Sequence, residues 1–355
     1  MKKKGLISFS GGETSGYMLW WLLTNKSDEY DFTIIFANTG RENNETLEFV
    51  KKCAEHFCCE IIWVEAVIRF KIRAYGKTKT FTSFEEKEKF YNSFTDDELK
   101  QIELHKIEKK SGIPIYRMCI EEVDCGTVHK IVTYETATRN QDWKKRIDTP
   151  YEMMVKKYGL ANISNRFSTR ELKERPIHSL MKSLGIRSYD TFIGIRVDEF
   201  DRMSKDRKKL SFFYPLVVWK PFTKLHVNFW WSLMPFRLML QGWEGNCLTC
   251  YKKALDKLVQ IMIDDPWKFE FDEYLEKKYG FYIPRKRLIE MFFKGKKLPE
   301  LPLRIFRENK TVAAIRKMAK TFQKKIKDDS KATGVQLSMY DDESCEVFSA
   351  CGINN

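Results

Sequence analysis

Ser10-Gly11-Gly12-Glu13-Thr14-Ser15 follows the apolar run Leu6-Ile7-Ser8-Phe9 and precedes Gly16-Tyr17-Met18-Leu19-Trp20-Trp21-Leu22-Leu23. The order predicts a strand, a glycine turn and a helix. A turn of this kind leaves backbone N–H groups unpaired at the positive end of the helix, where a phosphate or sulfate can be held. Gly11 and Gly12 let the backbone approach the anion closely. Ser10, Thr14 and Ser15 add hydroxyl groups. No Gly-Lys-Ser/Thr follows at the spacing of a Walker loop. The second apolar strand ends in Asn38-Thr39-Gly40, a place where open α/β sheets bind ligands.

Other residue types suggest further chemistry. Asp198 and Glu199 follow a late apolar run, where they could bind Mg2+, orient a substrate or start a helix as ion pairs. Cys247 and Cys250 form a C-x-x-C, which suits Zn2+, an iron–sulfur cluster or a redox pair. A closed metal site needs two more ligands, for which Cys119, Cys125 and the Cys58-Cys59 pair are candidates. Cys53, Cys58 and Cys59 follow a helical pattern and read as buried thiols. The five histidines show no paired metal-ligand spacing.

These groups need elements to position them. Phe32–Asn38 and Glu60–Glu65 read as strands, and residues 43–57 read as a helix with Leu47, Val50, Ala54 and Phe57 at helical spacing. This alternation implies an α/β fold around a parallel sheet flanked by helices. Between about Lys71 and Arg117 the pattern breaks into Lys, Glu and Thr, and a helical insertion is expected. Val128–Tyr134 and Tyr189–Ile195 read as later strands, Tyr151–Tyr158 and Thr169–Leu184 as helices. Beyond residue 215 the chain reads as helical and basic, with helices from Thr223 and over Cys250–Ile263. Ile315, Met318, Ala319, Phe322 and Ile326 line one helical face. Residues 1–215 are thus expected to form the α/β domain that carries the glycine loop, 216–327 a helical region with the C-x-x-C, and 328–355 a loose tail.

The 355 residues carry a formal net charge of +14 and are 43% hydrophobic. Such a chain is globular and favours anionic partners. No apolar run approaches the roughly 20 residues of a membrane span, so no membrane partner is expected. With no secretory leader pattern, a cytoplasmic location with mostly reduced cysteines is expected.

The glycine loop resembles the pyrophosphate-binding loop of the PP-loop superfamily, which contains N-type ATP pyrophosphatases and phosphoadenosine phosphosulfate (PAPS) reductases. The segments Phe36–Glu42, Arg166–Lys173, Gly194–Glu199 and Gly245–Lys253 are similar to the PAPS reductase-like branch. The resemblance covers roughly residues 5–260 and implies a HUP, Rossmann-like fold that binds an adenine nucleotide, ATP or PAPS. It implies that Ser10, Gly11, Gly12, Thr14 and Ser15 hold phosphates, with Asn38, Thr39, Gly40 and Gly194 around the nucleotide. Arg166, Lys173 and Arg196 would contact the same anion. Two departures stand out. Thr14 occupies the place of an aspartate usual in ATP pyrophosphatases, and Ser168 that of a cysteine usual in the related branch. The tail Cys351-Gly352-Ile353 is similar to the cysteine-bearing terminus of PAPS reductases but lacks its glutamate and histidine, which makes Cys351 a candidate nucleophile.

Three readings follow. ATP could be attacked at its α-phosphate, adenylating an acceptor in a nucleic-acid or sulfur-related modification and releasing pyrophosphate, with tRNA or DNA bound by the basic C-terminal region. PAPS could be reduced through a cysteine thiolate. The chain could also be a non-catalytic nucleotide sensor or nucleic-acid-binding module.

Overall fold

The structure, a computed structural model, describes residues 2–109, 111–324 and 326–333. Its central sheet has six strands: β1 (Lys3–Phe9), β2 (Tyr30–Asn38), β3 (Ile62–Ile68), β9 (Thr127–Val132), β10 (Asp190–Ile193) and β11 (Phe212–Phe213). Their order is β11-β10-β1-β2-β3-β9. All neighbours run parallel except the edge strand β9, which is antiparallel to β3. The register pairs Ile7 with Ile34 and Phe9 with Phe36.

Strand alternation sends successive apolar side chains to opposite faces. Ile7, Phe9, Ile34 and Phe36 pack beneath the helices Glu13–Lys26 and Asn44–His56 and against Trp231. Leu6, Ile35, Ala37, Val64 and Ile193 face the other way, onto Ile177, Leu180 and Met181 of the helix Arg175–Ser183. Burial on both faces explains why these strands read as continuous apolar runs. From β1 the chain builds outward through β2 and β3, then returns to β10 on the other side. The order therefore reverses at β1/β10, and the loops after these two strands open onto one crevice.

The insertion differs from the helical expectation. Between residues 70 and 118 it holds β4 (Phe70–Ala74), β5 (Lys77–Phe81), β6 (Ile102–Ile107) and β7 (Pro114–Met118), besides the short helices Phe84–Tyr91 and Asp96–Lys100. β4 lies between β5 and β8 (Ile120–Val123) in a three-stranded sheet, and β6 pairs with β7. Tyr75 and Gly76, at φ 46° and 78°, turn β4 into β5. Two consecutive positive φ values match the right-handed strand twist.

After β11 the described residues form helices. Leu258, Val259, Phe269, Leu275 and Ile315 share a core with Phe70 and Ile72 of the insertion and with Met154 and Leu172. Two boundaries move. The helix expected from Cys250 starts at Leu255, because Lys253 N–H closes a turn on Cys250 O at 2.9 Å. The basic helix spans Val312–Thr321 and ends before Ile326. Residues 328–332, expected to begin a loose tail, are tied down. Asn228 Nδ2 donates to Asp329 O and Ala332 O at 3.0 and 2.8 Å, and Lys224 pairs with Asp329 at 2.6 Å. No helix among the described residues is long and apolar enough to cross a membrane.

Candidate functional site

The glycine loop joins β1 to the helix Glu13–Lys26. Gly11 sits at φ +81°, and a Cβ there would meet Thr46 Cγ2 at 2.7 Å, so only glycine fits without strain. Gly12 is the N-cap, and its carbonyl accepts the first helical bond from Gly16 N–H at 2.9 Å. Ser15 Oγ turns back on the loop, donating to Gly12 O and lying 2.9 Å from Ser10 Oγ. Ser15 is fully buried and shapes the loop, whereas Ser10, Gly12 and Thr14 line the cleft beyond it. Gly194, after β10, lies so close that a Cβ would be 3.1 Å from Ser15 Cα.

The cleft encloses about 300 Å³. Arg196, Lys224, Lys253, Lys257 and Arg307 contribute to its wall. Arg196 Nη1 donates to Thr14 Oγ1 at 2.9 Å, and its Nε lies 3.1 Å from Asp198 Oδ1. Glu199 pairs with Arg196 at 3.4 Å and also with Arg202. Both acids after β10 therefore orient arginines. Burial pushes the Glu13 carboxyl upward in pKa, and its ion pair with Arg237 at 2.9 Å opposes that shift.

A second loop closes the cleft. Arg41 O accepts from Leu248 N–H and Asn246 O from Asn43 N–H, both at 2.9 Å, and Glu42 bridges Cys247 as in an antiparallel pair. The C-x-x-C segment is thus stitched to the end of β2. Arg41, itself buried, pairs with buried Asp272 of the helix Glu270–Tyr279 at 2.8 Å. Asn246 Nδ2 reaches back to Ser10 O at 3.0 Å, joining this loop to the glycine loop. Asn38 lines neither cavity: its amide donates to Glu65 Oε1 and Thr138 O, and Gly40 N–H donates to its Oδ1. Thr39, Arg41, Ser168, Lys173, Cys247 and Cys250 line a small adjoining cavity of about 40 Å³. Arg166 lines neither cavity; it is exposed, with Nε on Ile163 O at 2.8 Å.

Comparison with known proteins fits this geometry. The family model for the phosphoadenosine phosphosulfate reductase domain matches residues 4–220, more than half of the chain. The chain belongs to the phosphoadenosine phosphosulfate reductase domain family. An uncharacterized nin region protein, ORF290 of Escherichia phage lambda, is 24% identical over 254 residues, covering 71% of this chain and 67% of that protein. No solved structure matches. The matched span holds the glycine loop, Thr14 and Arg196. Lys224, Lys253, Lys257 and Arg307, which line the same cleft, lie beyond it.

The cysteines of this family member do not assemble a closed metal site among the described residues. No group of three or more His, Cys, Asp or Glu converges there. Cys247 and Cys250 line both cavities, but Cys125 Sγ donates to Arg69 O at 3.1 Å and Cys119 lies between β7 and β8. A structural zinc or a cluster needs further ligands, and among the described residues none groups with these two thiols. Burial raises the Cys53 and Cys59 thiol pKa values, the latter to about 11, which suits inert side chains. Cys351 lies outside the described residues.

Sequence reasoning passed over several cleft residues. Lys253 stood inside a quoted motif, and Glu13 inside the loop itself. Lys224, Lys257 and Arg307 carried no local signal, because tertiary packing alone brings them to the cleft, as it brings Arg237 to Glu13.

Proposed function

We propose that this chain is an enzyme that binds ATP with its phosphates on the glycine loop and adenylates an acceptor. The supporting observation is a helix N-terminus capped by Gly12 that shares one cleft with Arg196, Lys224, Lys253, Lys257 and Arg307. The N–H groups of a helix N-terminus and the cations lining the cleft suit a polyphosphate. In the reaction, an acceptor oxygen forms a bond to the α-phosphorus. The bond from that phosphorus to the bridging oxygen breaks, pyrophosphate leaves with the electron pair, and a hydroxyl acceptor's proton passes to solvent. Cations around the phosphates stabilise the charge that develops on the leaving group.

Asp198 and Glu199 are engaged by Arg196 and Arg202, so this carboxylate pair does not fit a protein-held Mg2+ site. No step is assigned to that ion. Net charge and the basic C-terminal region favour tRNA or DNA as the acceptor, in a base or backbone modification involving sulfur.

A second reading draws on Cys247 and Cys250, whose side chains border the same cleft. In PAPS reduction a cysteine thiolate forms a bond to the sulfonate sulfur, the S–O bond breaks, and the nucleotide phosphate leaves. A thiol reductant then frees sulfite.

Pyrophosphate release from ATP, with and without tRNA or single-stranded DNA, separates these readings. Release stimulated by nucleic acid is expected. Tight ATP binding without release under any condition would identify a non-catalytic module. Sulfite formed from PAPS plus a thiol reductant would establish the reductase.

A further inference from the structure

The helix Arg285–Phe293 contains no buried residue, and Phe292 through Leu298, at and after its last turn, are exposed. Phe281 and Phe292 are 73% and 78% exposed, and Phe293 is 45% exposed. Phe292 and Phe293 lie beside the cations that follow them in the chain, Lys294, Lys296 and Lys297. Residues 281–297 hold six Lys or Arg and one Glu. Lys294, Lys296 and Lys297 are exposed at the helix's C-terminal end and make no ion pair among the described residues. Arg285 is used for anchorage, lying over the Tyr91 ring at 4.2 Å.

We infer that this exposed helix end binds single-stranded nucleic acid, its phenylalanine rings stacking on bases and its lysines tracking the phosphates. The inference deepens the proposed function, and it rests on that reading for the nucleic-acid acceptor. A second copy of this chain is a poor occupant, because it would bring two strongly cationic patches together. A bilayer surface is also a poor fit. Phe292 and Phe293 occupy consecutive helical positions, about 100° apart around the axis, and their rings are inclined at 75°. They present separate faces rather than one apolar stripe. Bases on a flexible strand can stack on rings that face different ways, and aromatic rings beside a cationic track are what non-sequence-specific strand binding uses.

Fluorescence anisotropy of labelled single-stranded DNA and RNA 20-mers, without ATP, tests the inference apart from catalysis. Binding that weakens with salt is expected. Phe292→Ala should weaken it five- to 150-fold, the range for losing one stacked base. The triple variant Lys294→Ala/Lys296→Ala/Lys297→Ala should reduce the slope of log affinity against log salt by about 2. All four side chains are exposed, so the variants keep the fold. Absence of oligonucleotide binding at low salt would overturn the inference. So would unchanged binding in both variants, or binding to vesicles of anionic lipid in its place. If strand binding holds while ATP yields no pyrophosphate, the surface stands and the adenylation reading falls.

Discussion

Arg196 Nη1 donates to Thr14 Oγ1 at 2.9 Å, linking the end of β10 to the first turn of the helix that carries the glycine loop. The contact fixes a buried guanidinium beside the glycine loop, with Asp198 3.1 Å from its Nε and Glu199 3.4 Å from its Nη1. Threonine thus does work in this cleft that an aspartate would do differently: it accepts from the arginine without neutralising it.

Thr14→Val should keep the fold and lose that acceptor. A hydrogen bond to a charged group contributes about 1.5–3 kcal/mol, so ATP affinity should fall by roughly tenfold or more. Calorimetric titration of the folded variant checks this, and unchanged affinity would show that Arg196 is positioned without Thr14.

The Arg41–Asp272 pair is enclosed on all sides and also engages Thr249 and Asn140. Removing one partner of a buried ion pair leaves an uncompensated charge and costs about 3–5 kcal/mol. Asp272→Ala should lower the urea midpoint accordingly. It should also speed maleimide labelling of Cys247, because Arg41 anchors the loop that Cys247 pairs with.

Glu276 supplies a pH dependence. Burial, reinforced by the charge of Asp272, pushes its carboxyl from 4.5 up to about 7, although Val312 N–H donates to its Oε2 at 3.0 Å. Its Oε1 has no hydrogen-bond partner among the described residues. Below about pH 4.5 both folded and unfolded chains hold the proton, and the group costs nothing. As pH rises from 4.5 to 7 the unfolded chain releases its proton first, so this contribution to stability is lost across that window. Glu276→Gln should therefore raise Tm at pH 8 and leave it nearly unchanged at pH 4.5, as scanning calorimetry can measure.

Much of this was legible in the sequence for identifiable reasons. β1, β2 and β3 are buried on both faces, so their apolar runs stood out, and the glycine turn between β1 and its helix was readable from residue types alone. β5 was not, because Lys77-Thr78-Lys79-Thr80 is exposed and polar and gives little hydrophobic period. Its β-branched threonines and the Tyr75-Gly76 turn were the signals available. Arg166 and Arg196 looked alike as anion contacts, yet β10 delivers only Arg196 to the cleft. Arg41 and Asp272 lie 231 positions apart, and no local pattern predicts such a pair.

The central claim is that the glycine loop receives the nucleotide's phosphates, and Gly12→Asp tests it most directly. Aspartate is a favoured N-cap, so the helix should survive, while its carboxylate would enter the cleft that Gly12 lines. Equilibrium titration should show saturable ATP binding by the natural chain and loss of at least tenfold in affinity by the folded variant, as expected for a like charge set beside the phosphates. Equal affinity in the two proteins, or no binding of ATP or PAPS by the folded natural chain, would contradict the account.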